Sequence, residues 1–195
     1  METSDSYDQI SPSYLRFLTP FSPKPYSVTP RLFEGLRMKN AAETALDEYW
    51  MRQALDAARE AQQRGEVPVG TCIVSDGKLL SVSGNRTRTD CDPTAHAEIV
   101  ALRDASKIAG NYRLTETQVF STIEPCAMCA GALIQARIRR LVYGADDERA
   151  GAVKSHFRIC DTDFLNHRIE VVSGVLENEC RELMQEFFRD RRNVR

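Results

Sequence analysis

The chain has 195 residues, a formal net charge of −2, 42% apolar residues and 28% charged residues. That composition fits a globular protein of one domain, or one domain plus a tail, long enough to bury a core without disulfides. It excludes a strongly basic chain held to nucleic acid by its overall field, so any such contact must come from local patches. No apolar run approaches the roughly 20 residues a membrane span needs. The first ten residues are polar and partly acidic, unlike a secretory signal. A cytoplasmic location is expected on these grounds, and with it six reduced cysteines, Cys72, Cys91, Cys126, Cys129, Cys160 and Cys180.

Residues 1–42 carry Pro12, Pro20, Pro23, Pro25 and Pro30 and no sustained helical or strand period. They read as a disordered extension ahead of a domain at 43–195. Glu2, Asp5, Asp8 and Glu34 have the wrong sign for a transit peptide. Met38 offers an alternative start just before the ordered region.

From Glu43, the residues Leu46, Trp50, Ala54, Ala57, Ala58 and Ala61 recur at helical spacing, and Gly65 follows as a stop. Strand-like runs at 69–75 and 78–83 flank Asp76-Gly77, a strong hairpin signal. A second helix is expected to open at Asp92-Pro93-Thr94, with Asp92 as cap, and to reach about Ile108. A strand at 118–123, a helix opened by Pro125 and running to about Arg137, and strands at 140–143 and 169–172 follow. An amphipathic helix from Leu176 to about Arg191 ends the chain. Strands alternating with helices predict a three-layer α/β/α fold. Its five-stranded mixed sheet should be largely parallel, with one antiparallel hairpin and helices on both faces.

The chemistry lies in His96-Ala97-Glu98 and Pro125-Cys126-Ala127-Met128-Cys129. Each half alone is weak. A lone histidine near a helix start is more often a capping or core residue, and a lone Cys-x-x-Cys also fits a redox motif or half of a structural zinc site. Together, each at the head of a predicted helix, they form the H-x-E…P-C-x-x-C signature of the zinc nucleobase deaminases. Zinc prefers four tetrahedral ligands, so three protein ligands, His96, Cys126 and Cys129, leave one position for water. Cys126 and Cys129 stand three apart, which brings both sulfurs to one side of a helical turn. A helix N-terminus favours thiolates. Glu98 lies two residues beyond His96, roughly 200° around a helix, which suits a general acid/base beside the metal rather than a ligand. The alternative is a closed structural site, whose fourth ligand would have to be His156, His167, Cys72, Cys91, Cys160 or Cys180; none is paired in spacing with the first three.

From about Glu48 to Arg192 the chain resembles the bacterial tRNA-specific adenosine deaminases. The matching segments include Glu48-Tyr49-Trp50-Met51-Arg52, Glu66-Val67-Pro68-Val69-Gly70, Asn85-Arg86, Asn111-Tyr112-Arg113-Leu114, Asn166-His167-Arg168 and 187–192, besides the metal motif. The resemblance implies a cytidine-deaminase-like fold, one Zn²⁺ per subunit, a homodimer, and hydrolysis of a tRNA wobble adenosine to inosine, with the base splayed from the anticodon stem-loop into the pocket. It also implies substrate contacts from Asn85, Ala97, Asp147, Phe188 and Arg192. By composition alone, Asn85 is a turn residue and Asp147 an exposed loop aspartate. Phe187 and Phe188 are adjacent and cannot both face the core comfortably, so one is free to stack on a base among Arg189, Arg191, Arg192 and Arg195. Arg137, Arg139 and Arg140 form a second basic cluster.

Two other functions share the same motif. One is a deaminase of free guanine, cytosine or deoxycytidylate. The other is a non-catalytic, zinc-stabilised partner subunit, against which the presence of Glu98 argues.

Overall fold

The structure is a computed structural model describing residues 41–162 and 165–193, the side chain of Asn193 excepted. Residues 1–40, which hold most of the predicted extension and Met38, lie outside the described residues, as does Arg195. The elements are α1 (Ala41–Gln63), β1 (Gly70–Ser75), β2 (Lys78–Gly84), α2 (Ala97–Ala109), β3 (Thr117–Ile123), α3 (Ala127–Gln135), β4 (Arg140–Ala145), a short 3₁₀ turn (Ile159–Asp161), β5 (Glu170–Ser173) and α4 (Glu177–Asn193).

The β1–β2 hairpin turns at Asp76-Gly77, with positive φ at both (49° and 70°). That is the type I′ geometry which matches strand twist and favours this dipeptide. The sheet order is β2-β1-β3-β4-β5. β1 pairs antiparallel with both β2 and β3, while β3–β4 and β4–β5 are parallel. The expectation of a largely parallel sheet with a single antiparallel pair is therefore corrected. The crossover through α2 carries β3 past β2 to the far side of β1, so β2 and β3 share a direction with an opposed strand between them.

Strand alternation divides the core as a two-faced sheet requires. Ile73, Val119, Leu141 and Tyr143 face α2 and α3, where Ala101, Leu102, Ala130 and Leu133 cover them. Cys72, Val74, Phe120 and Val142 point the other way, beneath Trp50, Met51, Ala54 and Leu55 of α1 and Cys180 of α4. This is the expected three-layer arrangement. Helix α1 lies unusually close to the sheet: a Cβ at Gly70 or Gly84 would collide with its backbone at Ala54, Ala57 and Ala58.

Two details depart from the sequence reading. Leu46 is exposed, and its neighbour Asp47 takes the buried position on α1. The cause is Arg140 on β4, also buried, whose guanidinium holds both Asp47 carboxylate oxygens at 2.7 and 2.9 Å. Arg140 is thus no part of a basic surface cluster with Arg137 and Arg139; it bolts α1 to the start of β4. Among the described residues no helix is long and apolar enough to cross a membrane.

Removing Asp47 takes away the only buried carboxylate on Arg140 and leaves the more exposed Glu170 at 3.4 Å and Glu43 at 3.9 Å to offset its charge, so the cost should reach about 3 kcal/mol at most. Asp47→Ala should therefore lower the urea midpoint by up to about 1–3 M, read by circular dichroism, with the m-value unchanged.

Candidate functional site

β2, β3 and β4 run in one direction, so the loops leaving their C-terminal ends gather at one edge of the sheet, the usual place for a site in an α/β fold. Helix α2 begins from the first of these loops and α3 from the second. The chain enters each helix through a capping residue in extended conformation, His96 (φ −69°, ψ 153°) and Cys126 (φ −70°, ψ 174°). Each cap carbonyl accepts the first helical hydrogen bond, from Val100 N–H at 3.0 Å and from Ala130 N–H at 2.8 Å.

Both helices start later than their sequence signals suggest. Asp92 does not cap α2. Its Oδ1 accepts the Thr94 amide at 2.8 Å and hydroxyl at 2.7 Å, closing a local turn that contains Pro93. Pro125 likewise precedes the cap of α3. The later starts leave His96 and Cys126 at the caps, with side chains free of helical neighbours.

There the two caps meet. His96 Nδ1 stands 3.6 Å from Cys126 Sγ and 3.6 Å from Cys129 Sγ, and the three donor atoms lie within 4.8 Å of one another. Zinc–sulfur and zinc–nitrogen bonds of about 2.3 and 2.0 Å at a tetrahedral angle place those atoms about 3.5 Å apart. The donors therefore fit one face of a zinc tetrahedron. Among the described residues they form the only such group, and no fourth His, Cys, Asp or Glu joins it. The alternatives are engaged elsewhere: His167 with the Ile138 carbonyl, His156 with that of Glu148, and Cys72 with that of Trp50. All six cysteines are free thiols.

Electrostatics favour a cation at this point. The Cys126 thiol is pulled down to about 4, first by the hydrogen bond from Cys129 and then, against the opposing effect of burial, by that from His96. Cys129 is pushed up by its bond to Cys126 and by burial, so the pair holds one proton between them. A divalent ion would replace that proton and the imidazole's as well. Glu98, 3% exposed in the first turn of α2, has its carboxyl raised chiefly by burial.

The remaining predicted residues divide into two groups. Asn85 is buried at the end of β2, and its Oδ1 accepts the Ala97 N–H at 3.0 Å, between His96 and Glu98. Asp147 lies half-buried in the loop after β4, where its Oδ1 accepts the amides of Arg149 and Ala150. Phe188 and Arg192 sit apart on the last turns of α4. Phe187 is 6% exposed and Phe188 41% exposed, so the adjacent pair divides between core and surface. Arg191 lies over the Phe187 ring, 4.6 Å from its centroid, and donates to the Gly65 carbonyl.

Two buried carboxylates that sequence reasoning did not single out hold the loops. Glu124, next to Pro125, accepts the amides of Asp147, Val153, Lys154 and Ser155 and the Ser155 hydroxyl. It fixes residues 147–155 beside Cys126, which pairs with Gly151, a position with no room for a Cβ. Glu66 grips residues 87–89 in the same way. Their donors lie more than twenty residues away in sequence, so the only local signal was an acidic residue next to proline or strand-like residues.

Residues 44–145 match the family described as the cytidine and deoxycytidylate deaminase zinc-binding region. The chain is 47% identical over 147 residues to the tRNA-specific adenosine deaminase of Haemophilus influenzae, an alignment covering 75% of this chain and 85% of that protein. A solved structure from studies of A-to-I editing by tRNA:A34 deaminases at the wobble position of transfer RNA superposes with a TM-score of 0.68. It is 46% identical, over 69% of this chain and 98% of that one. A guanine deaminase from Nitrosomonas europaea shares the fold alone, with TM-score 0.61 and 24% identity over 72% of this chain and 83% of that one.

For both Glu66 and Glu124, burial pushes the carboxyl up, but the hydrogen bonds outweigh it and hold each below the ordinary range. A depressed folded-state pKa gives stability that is full above about pH 4.5 and fades as pH falls through the lower, folded value. The melting temperature should therefore decline below about pH 4.5. Glu66→Gln, which cannot titrate, should show a shallower acid decline in the same scan; an equally steep one would detach Glu66 from it.

Proposed function

The chain belongs to the cytidine and deoxycytidylate deaminase zinc-binding family and within it to the tRNA-specific adenosine deaminases, and we propose that it converts the wobble adenosine of a tRNA anticodon to inosine at a zinc site held by His96, Cys126 and Cys129. The observation that carries the site is the 3.6 Å spacing of the imidazole nitrogen from both sulfurs. Zinc bound there supplies a Lewis acid that lowers the pKa of a water at neutral pH. Three protein ligands leave the fourth position open, which separates a catalytic site from a structural one.

The chain's own residues then handle base and proton. Water adds at C6 of the adenine, the C6–N6 bond breaks, and ammonia leaves. Glu98 takes one proton from the attacking water and delivers it to ring nitrogen N1, then takes the second from the resulting C6 hydroxyl and delivers it to the departing amino group, so both water protons end on the two products. Its burial suits the role: a carboxyl raised toward neutrality takes up a proton from the attacking water more readily than an exposed one. Asn85 holds the base edge. Its Oδ1 is committed to Ala97, which fixes the side chain and leaves the amide N–H₂ to donate. Ala97, small and fully buried between His96 and Glu98, serves the base through its amide, which sets the Asn85 side chain. Phe188 offers a ring for a splayed neighbouring base and Arg192 a cation for the RNA backbone. Asp147 orders the loop after β4 against the anticodon.

The partner is a tRNA anticodon stem-loop, and the assembly a homodimer in the cytoplasm. The outward side of α3 supports the dimer: Ala127, Met128, Gly131, Ala132 and Gln135 present no charge there.

Glu98→Ala should retain about one zinc per chain and an unchanged circular dichroism spectrum while losing at least about a hundredfold in inosine formation. Full activity would remove Glu98 from the mechanism. Cys129→Ser should lose zinc, measured by atomic emission. Offered a stem-loop with a wobble adenosine alongside guanine, cytosine and cytidine nucleotides, the protein should turn over the stem-loop. Turnover of free bases beside an inert stem-loop would replace this substrate with theirs.

A further inference from the structure

We propose that Glu66 is a positioning residue for the reaction, acting through Asn85; the proposal rests on the reading of Asn85 as a contact to the base. Glu66 is fully buried, yet among the described residues its carboxylate forms no ion pair with a Lys or Arg and does not belong to the metal group. Its carboxylate is spent on one short segment. Oε1 accepts the Thr89 amide at 2.7 Å, the Thr89 hydroxyl at 2.8 Å and the Arg88 amide at 3.0 Å, and Oε2 accepts the Thr87 hydroxyl at 3.2 Å. That segment begins two residues after Asn85.

Both ends of the connection are anchored. On the Glu66 side, its own amide donates to the Ala61 carbonyl at the end of α1. The preceding carbonyl, of Gly65, accepts guanidinium bonds from Arg88 and from Arg191 of α4, each at 2.8 Å. On the Asn85 side, its amide donates to Val69, the Arg86 amide donates to Ala95, and its Oδ1 holds Ala97. Between these anchors, residues 87–89 turn four part-buried donors onto the one carboxylate, a number that an ionised acceptor satisfies best. With Glu66 neutralised or shortened, those amides have no equivalent acceptor, and the segment must move to find water. Arg86 is the one residue between that segment and Asn85, so the shift pulls on the hydrogen bonds to Val69, Ala95 and Ala97 that aim the Asn85 side chain. A displacement of an ångström in a group that orients the reacting base is enough to cost activity without touching the metal.

Affinity for the stem-loop should depend on phosphate contacts remote from this carboxylate, so the effect falls on turnover. Glu66→Gln should keep one zinc per chain and lower kcat on the stem-loop by about tenfold or more, with KM changed by less than about threefold. In an Asn85→Ala background the same substitution should change kcat by less than about twofold, because the group through which it acts is gone. Thr89→Val removes one donor to Glu66 and keeps the fold in case Glu66→Gln does not; it should give a smaller loss that likewise vanishes in the Asn85→Ala background. A loss that persists undiminished without Asn85, a loss confined to KM, or unchanged kcat in Glu66→Gln would each overturn the role. A wild-type protein inert on the stem-loop would instead remove the substrate reading, and this role with it. Wild-type turnover with an additive cycle would defeat the positioning role alone.

Discussion

Everything at the functional edge depends on one geometric demand: two helices, thirty residues apart in sequence at their caps, must start close enough for their side chains to share one metal's coordination shell. His96 and Cys126 are caps, not members, of their helices. A cap side chain leaves the helix at its end, where the free N–H groups and the positive end of the helix dipole favour thiolate and anionic substrate alike. The mixed sheet makes the meeting possible. Because β1 opposes both neighbours, β2 and β3 release their chains at the same edge, and the two crossovers place their helices side by side on one face.

Holding that arrangement falls to buried carboxylates. Glu124 organises the loop that lies against Cys126, and Glu66 the loop that follows Asn85. Neither touches the metal donors. Each is an acceptor surrounded by backbone amides, which is how an ion is kept in an interior without a counter-charge. Arg140 fixes α1 on the opposite face by a different means, its charge met by the buried Asp47 and by Glu43 and Glu170 nearer the surface. One layer is thus clamped by ion pairing while the active edge is clamped by amide donation. Amide donation leaves no competing cation beside a site that must accept one.

The metal donors were legible in the sequence because ligand spacing is local: a histidine at one helix head and two cysteines three apart at another. The hairpin at Asp76-Gly77 was legible for the same reason. The helix starts were not. Asp92 and Pro93 carry good capping chemistry, but Thr94 captured the Asp92 carboxylate in a tighter turn. The sheet's direction changes also lay beyond local pattern, since they follow from which neighbour β3 selects. Arg140 looked like surface charge because its partner stands 93 residues away. The roles of Glu66 and Glu124 were hidden likewise, in loops that only the fold brings near. What Phe187 and Phe188 do was half visible: adjacency on a helix dictated that they divide, and the ring under Arg191 is the buried one.

The two helix caps together make an open three-ligand site. X-ray absorption at the zinc edge on the zinc-loaded full chain tests it most directly. The expected spectrum contains two sulfur scatterers at about 2.3 Å and two light-atom scatterers at about 2.0 Å, of which only one is an imidazole. Three or four sulfurs, or a second imidazole in the shell, would show a closed site with ligands drawn from elsewhere in the chain and would contradict it.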